Sequence, residues 1–297
     1  GSFTNVTSSS GLSGYFASVT VVKAADFNND SCEDLVCFTH GGLANRLYKG
    51  NCHGSFTDVT SQARIADGAP WCTGVAVADF NDDAKADIFC GTYNTGAGPV
   101  RPRLWLNNGS ASFTDRASEA GLYAIARNMD VVLPFDQDND GLTDVYVGAS
   151  ESGALNDRKD VLLRNTGGSP PVFADSTDAA GMYPTTQDGT GYCGAGIDEF
   201  YCDRDAAAGA VLDDGNDGAL DVFVTGSDPD FLQRGSDFLW LNRRNVIADG
   251  STAPANDWID VALKGANTRG SRVLSNRFGI GAKVTVIPRF NLPAGAV

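Results

Sequence analysis

The sequence predicts an all-β chain, a β-propeller of four-stranded blades followed by a small C-terminal β domain. Three observations carry that prediction. A Phe-x-Asx motif recurs, an Asp-rich loop comes after each recurrence, and short β-type runs flank every loop. Gly1-Ser2-Phe3-Thr4-Asn5-Val6-Thr7 is echoed by Gly54-Ser55-Phe56-Thr57-Asp58-Val59-Thr60, then by Ser112-Phe113-Thr114-Asp115 and, more loosely, by Val172-Phe173-Ala174-Asp175. The phenylalanines are separated by 53, 57 and 60 residues, a period that suits a propeller blade.

The second signature reads Asp26-x-Asn28-x-Asp30-x3-Asp34, then Asp79, Asn81, Asp83 and Asp87, then Asp136, Asp138, Asp140 and Asp144. A weaker fourth copy has Asp213, Asp217 and Asp221, with Gly215 at the third position. The first Asp lies 23 residues after the phenylalanine in the first three repeats and 40 after it in the fourth. The extra residues fall within 183–205, a Gly- and Tyr-rich insertion. Around the second loop, Val75–Ala78, Asp87–Cys90 and Arg103–Asn107 read as strands, and with the Phe-x-Asp segment they make four strands per repeat.

The fourth repeat supplies a third strand, Phe238-Leu239-Trp240-Leu241-Asn242, but no Phe-x-Asp strand after it. Two arrangements are open. In one, Phe3–Thr7 completes the last blade and closes a four-bladed ring, leaving no open edge. In the other, the chain is a piece of a larger ring. The propeller is expected over residues 1–244 and the C-terminal segment over 245–297.

The loops point to a metal. A hard divalent cation takes six to eight oxygens, and positions 1, 3, 5 and 9 of a tight loop can supply them. The expected ligands are Asp26, Asn28, Asp30, Asp34, Asp79, Asn81, Asp83, Asp87, Asp136, Asp138, Asp140, Asp144, Asp213, Asp217 and Asp221. Their 13 carboxylates would repel one another without cations, so three to four Ca²⁺ ions are expected. Mg²⁺ fits less well because it demands octahedral geometry and keeps its waters. Asx turns without an ion are the plainer alternative, but such turns need only one or two of these residues. These are not EF-hands, because Val147 stands where the third loop would need a glutamate and strands flank it.

Composition narrows the function. With 22 Lys and Arg against 37 Asp and Glu, the formal net charge is −15, and no basic run suits nucleic acid. Seven cysteines without a paired zinc pattern, beside His40 and His53 only, favour disulfides. Cys193–Cys202 is expected to staple the insertion and Cys32–Cys52 to bridge the first blade; Cys72 can pair with Cys90, leaving one cysteine odd, and Cys37 stands where Cys90 stands in the next repeat. Asn5, Asn29 and Asn108 each open a glycosylation tripeptide. No 18-residue apolar stretch exists and no charged-then-apolar leader opens the chain, so a mature secreted protein is expected.

Asp26/Asn28/Asp30/Asp34 and their two full counterparts resemble the FG-GAP/VCBS repeats, with the fourth loop departing at Gly215 and the Phe-Gly and Gly-Ala-Pro signatures poorly kept. Trp258–Gly265 and Ser275–Val286, with the run Asn276-Arg277-Phe278-Gly279-Ile280-Gly281-Ala282, resemble part of the ASPIC/UnbV domain that commonly succeeds such repeats in secreted proteins of the cartilage acidic protein kind. The resemblance implies a calcium-binding propeller, as in integrin α-chain heads, with an extracellular matrix or adhesion role.

The expected function is therefore a secreted calcium-binding structural or adhesion module, with an extracellular protein, matrix or glycan as partner. A lectin-like propeller and a subunit of a self-assembling fibre or sheath are the alternatives. An enzyme is disfavoured, since no Ser-His-Asp grouping or base accompanies the loops. Tyr48, Trp105 and Trp240 share one strand position and read as core; Tyr192, Asp198, Glu199, Phe200 and Tyr201 make the insertion a candidate binding loop.

Overall fold

The computed structural model describes residues 1–12, 18–39, 43–66, 71–93, 101–125, 128–150, 160–182, 205–214, 218–227 and 238–243. The chain divides into two compact units, Gly1–Asn256 and Asp257–Val297, the second lying wholly outside the described residues. The 183–204 stretch with Cys193 and Cys202, the residues Gly215 and Asp217, and His40 lie outside them too.

The described residues form antiparallel meanders, one per repeat. The first sheet is β1 (Val19–Ala25), β2 (Asp34–Thr39), β3 (Arg46–Gly50) and β4 (Phe56–Asp58), in sequence order. The second is β5 (Trp71–Ala78), β6 (Asp87–Tyr93), β7 (Arg103–Asn107) and β8 (Phe113–Asp115), and the third is β9 (Asn128–Phe135), β10 (Asp144–Ser150), β11 (Val161–Asn165) and β12 (Phe173–Asp175). The fourth has β13 (Asp205–Leu212), β14 (Asp221–Ser227) and β15 (Phe238–Trp240) among the described residues. The Asp loops are the connections between the first and second strands of each sheet, so the spacing read in the sequence is a hairpin length.

The first strands pack in series: β1 beside β5, β5 beside β9 and β9 beside β13. Close approach there requires missing side chains. A Cβ on Gly74 or Gly91 would stand 2.7 or 2.6 Å from the Met129 carbonyl oxygen, so the glycines let β9 lie against the second sheet. Between sheets the core is aromatic. Phe113 meets Phe27 edge-on at 5.7 Å, Phe173 meets Phe80 and Phe89 at 6.2 and 6.1 Å, and Phe38 stacks on Trp105 at 5.9 Å. Tyr48 and Trp105 are buried and Trp240 is partly buried, as core residues. The Phe-x-Asp strands β8 and β12 thus place Phe113 and Phe173 against the preceding sheet.

A turn succeeds each fourth strand. The aspartate side chain accepts the N–H two residues on, from Thr60 to Asp58, Ala117 to Asp115 and Thr177 to Asp175. The chain then coils through α1 (Thr60–Ala63) or α2 (Thr177–Ala180) and leaves in a left-handed residue, Arg64, Gly121 or Gly181.

Of the two arrangements left open, closure by the N-terminal strand is not what the described residues show. Phe3–Thr7 is not a strand of the fourth sheet: residues 1–6 have no regular structure, and Phe3 is fully exposed. The segment is held at the first sheet instead, where the Ser10 carbonyl accepts the Phe56 N–H at 2.7 Å. Among the described residues, no packing of β13 on β1 comparable to the serial contacts closes the series.

Candidate metal centres in the Asp loops

Each loop is built by its own carboxylates. The first-position aspartate bridges two backbone N–H groups: Asp26 accepts from Asp30 and Ser31, Asp79 from Asp83 and Ala84, and Asp136 from Asp140 and Gly141. The fifth-position aspartate accepts the N–H two residues on, so Asp30 holds Cys32, Asp83 holds Lys85 and Asp140 holds Leu142. These bonds draw the backbone through left-handed conformations at Asn29 and Ser31, Asp82 and Ala84, and Asn139 and Gly141. The third loop puts glycine at the second of these sites, as the fourth does with Gly218 at φ 79°, where it costs least.

The ninth aspartate has a different environment. Asp34, Asp87, Asp144 and Asp221 are buried, and each joins two backbone segments. One oxygen accepts the second-position N–H, from Phe27, Phe80, Gln137 or Asp214 at 2.9–3.1 Å. The other accepts the N–H at the end of the third strand or just beyond it, from Gly50, Asn107, Asn165 or Asn242 at 2.6–2.8 Å. Burial outweighs these donors and pushes the Asp87 carboxyl up to about 7 and that of Asp144 up to about 6; Asp34 is raised for the same reason.

The third-position side chains differ between loops: Asn28 Nδ2 donates to Asp34 Oδ2 at 2.9 Å. Asn81 Oδ1 and Asp138 Oδ1 are buried and have no hydrogen-bond partner. Carboxylate oxygens of Asp136, Asp138 and Asp144 lie within 4.8 Å of one another. An oxygen cluster with orphaned buried acceptors suits a hard cation, which would supply the missing positive partner. In the fourth loop, Asp213 accepts the Gly218 N–H and Asp221 keeps its two N–H bonds, while Asp217 lies outside the described residues.

Two features were not foreseen from the sequence. Basic side chains reach the loops: Lys49 meets Asp30 at 2.9 Å, Lys85 meets Asp83 at 2.6 Å, and Arg164 meets Asp138 and Asp140 at 2.7 and 3.0 Å. The Lys49 ammonium, through its hydrogen bond, holds the Asp30 carboxyl below its ordinary value. Lys49 and Arg164 share the fourth position of the third strand, but unequal hairpin lengths conceal the match in the sequence.

The second feature joins neighbouring sheets. Asn107 Nδ2 donates to the Phe27 carbonyl at 2.8 Å, Asn165 Nδ2 to Phe80 at 2.9 Å and Asn242 Nδ2 to Gln137 at 2.7 Å. Each asparagine therefore ties its sheet to the second position of the preceding Asp loop. The recurring Trp-Leu-Asn of Trp105–Asn107 and Trp240–Asn242 was a visible signal, read in the sequence only as strand.

Disulfides join Cys32 to Cys52 and Cys72 to Cys90, and Cys37 is a buried free thiol raised in pKa by burial. Cys32–Cys52 ties the first Asp loop to the β3–β4 turn, and Cys72–Cys90 lies across β5 and β6. Asn5, Asn29 and Asn108 are all exposed.

Residues 26–90 match the family model of the FG-GAP-like repeat. Cartilage acidic protein 1 of Mus musculus is 27% identical over 289 residues, covering 95% of this chain and 39% of that protein. The Homo sapiens protein of the same name is 26% identical over 272 residues, covering 90% and 36%, and that of Xenopus tropicalis is 34% identical over 119 residues, covering 40% and 18%. The chain thus carries an FG-GAP-like repeat, is similar to cartilage acidic protein 1 over most of its length, and spans less than two fifths of those relatives.

Proposed function

We propose that the chain is a calcium-stabilised propeller module that acts outside the cell in protein or matrix contact. One observation carries the reading: the orphaned, buried oxygens Asn81 Oδ1 and Asp138 Oδ1 in the Asp loops, the second of them in a carboxylate cluster with Asp136 and Asp144. Asp26, Asn28, Asp30 and Asp34 would hold one ion, Asp79, Asn81, Asp83 and Asp87 a second, and Asp136, Asp138, Asp140 and Asp144 a third. Asp213, Asp217 and Asp221 would hold a weaker fourth. The ion supplies charge neutralisation and binds the folded form alone, which raises stability by mass action. Lys49, Lys85 and Arg164 then mark loop carboxylates that a cation reaches, at Asp30, Asp83, Asp138 and Asp140.

Several features support the rest of the reading. Serial packing of antiparallel meanders through their first strands suits a radial blade arrangement. Disulfides suit an oxidising compartment, and the exposed Asn5, Asn29 and Asn108 are suitable acceptors for glycans there. The 183–205 insertion is the proposed partner-binding surface, with a protein, matrix component or glycan as ligand, and residues 245–297 form an ASPIC/UnbV-like β segment.

Thermal unfolding in about 2 mM calcium and in excess chelator, beside native mass spectrometry, tests the reading. Three or four bound ions and a large fall in melting temperature on chelation are expected. An unchanged melting temperature with no bound metal would leave the loops as ordinary turns.

A further inference from the structure

The first Asp loop carries a covalent bond where the next two carry only a side-chain contact. Lys85 and Leu142 stand at the seventh position of the second and third loops, against Gly109 and Gly167. A Cβ on either glycine would lie 3.8 Å from Lys85 Cε or 3.5 Å from Leu142 Cδ1. Both glycines come two residues after the third strand, in left-handed backbone at φ 95° and 79°. Cys32 and Cys52 occupy the same two places in the first sheet and are joined as a disulfide. Cys52 takes the left-handed backbone at φ 60°, which costs a residue with a side chain more than it costs glycine.

The bond reaches the loop's carboxylates through Cys32, whose N–H donates to Asp30 at 2.9 Å. Ser31 beside it is left-handed at φ 66° and donates its N–H to Asp26 at 2.7 Å. The seventh position is also one from which calcium loops take a backbone carbonyl. From the other side, Lys49 holds Asp30 and the Gly50 N–H holds Asp34, and Cys52 comes next in the same turn. One covalent link therefore fixes the loop of Asp26, Asn28, Asp30 and Asp34 against the strand end that braces it.

The two disulfides among the described residues differ in access. Cys72 and Cys90 are each 0% exposed, in the core, whereas Cys52 is exposed and Cys32 half-buried, both in connecting loops. Thiol–disulfide exchange requires a thiolate to reach a sulfur, so of these two bonds an outside thiol reaches Cys32–Cys52.

We infer that Cys32–Cys52 is a thiol-exchange site that sets the calcium affinity of the first loop, tight with the disulfide closed and weak with it open. An external dithiol is the co-reactant. Its thiolate attacks Cys52 Sγ, a mixed disulfide forms as the Cys32–Cys52 bond breaks, and Cys32 leaves as a thiolate that takes up a proton. The reagent's second thiolate then displaces Cys52, which is protonated in turn, and the reagent departs as a disulfide, so two electrons pass from dithiol to protein. Opening the bond lets Ser31 and Cys52 leave their left-handed conformations, and the loop no longer holds its oxygens in place before the ion arrives. Linkage makes the effect reciprocal: calcium in the first loop favours the closed disulfide by the same factor. The inference rests on the calcium reading and deepens it by naming a control on one site.

Calcium calorimetry of the full chain, before and after dithiothreitol under native conditions, tests it, with the opened thiols labelled and mapped by mass spectrometry. Label is expected at Cys32 and Cys52 and not at Cys72 and Cys90. One ion should then bind about tenfold more weakly while the others titrate as before. Cys32→Ser combined with Cys52→Gly, which gives the turn the glycine of the next two sheets, should show the same single weakened ion without any reductant. Calcium should also raise, by a similar factor, the dithiothreitol concentration that opens the bond. An unchanged isotherm with the bond open, an equal loss at every site, or a Cys32–Cys52 bond that resists dithiothreitol overturns the inference while leaving the calcium reading in place. A chain with the bond closed that binds no calcium at any loop overturns both.

Discussion

The two halves of each Asp loop contrast in what their carboxylates do. At the ninth position, Asp34, Asp87, Asp144 and Asp221 are buried and satisfied, with both oxygens taken by backbone N–H groups from two different strand connections. At the third position, Asn81 and Asp138 each have a buried oxygen that is left unpartnered. The ninth carboxylate braces the backbone of the hairpin whether or not an ion is present, whereas the third-position oxygen has only what the hairpin holds to meet. A single sequence signature therefore encodes two physical roles, and they separate by mutation.

The largest effect falls on the folding half. Asp87→Ala strands the N–H groups of Phe80 and Asn107 in the interior, and at about 1–3 kcal/mol for each orphaned donor the cost is about 2–6 kcal/mol. Urea unfolding in chelator should show that loss in full, because it does not depend on metal. A variant as stable as the parent would deny the ninth position its structural role.

Next comes the bond between sheets. Asn165→Ala removes donors to the Phe80 and Thr143 carbonyls and leaves both acceptors behind, at about 1–3 kcal/mol. Hydrogen exchange should quicken at the contact between the second and third sheets before it quickens elsewhere. Uniform quickening across the chain would show that the asparagine acts only on global stability.

Much of this was legible in the sequence. The recurring Phe-x-Asp motif marked β4, β8 and β12, and the fixed interval to the first aspartate marked the hairpins, because both are local signals with a constant length. What escaped depends on contacts across sheets. Asn107 and Asn165 act 80 and 85 residues away, on the carbonyls of Phe27 and Phe80. The Lys49 and Arg164 pairings depend on strand register rather than on sequence distance. Phe3–Thr7 shows the same limit in reverse: its sequence is that of a fourth strand, yet a strand needs an adjacent edge, and the turn after it is bound to the first sheet.

The smallest effect on folding is the most informative about function. Asn81→Ala removes an oxygen that makes no hydrogen bond, so in chelator its stability should match the parent within about 0.5 kcal/mol. Calcium titration by calorimetry of the two proteins is then the direct test. The variant is expected to lose one ion from the stoichiometry, or to bind it far more weakly, while the other sites titrate as before. Identical calcium isotherms for variant and parent would contradict a metal at the loop centre, and the orphaned oxygen would have to be understood without one.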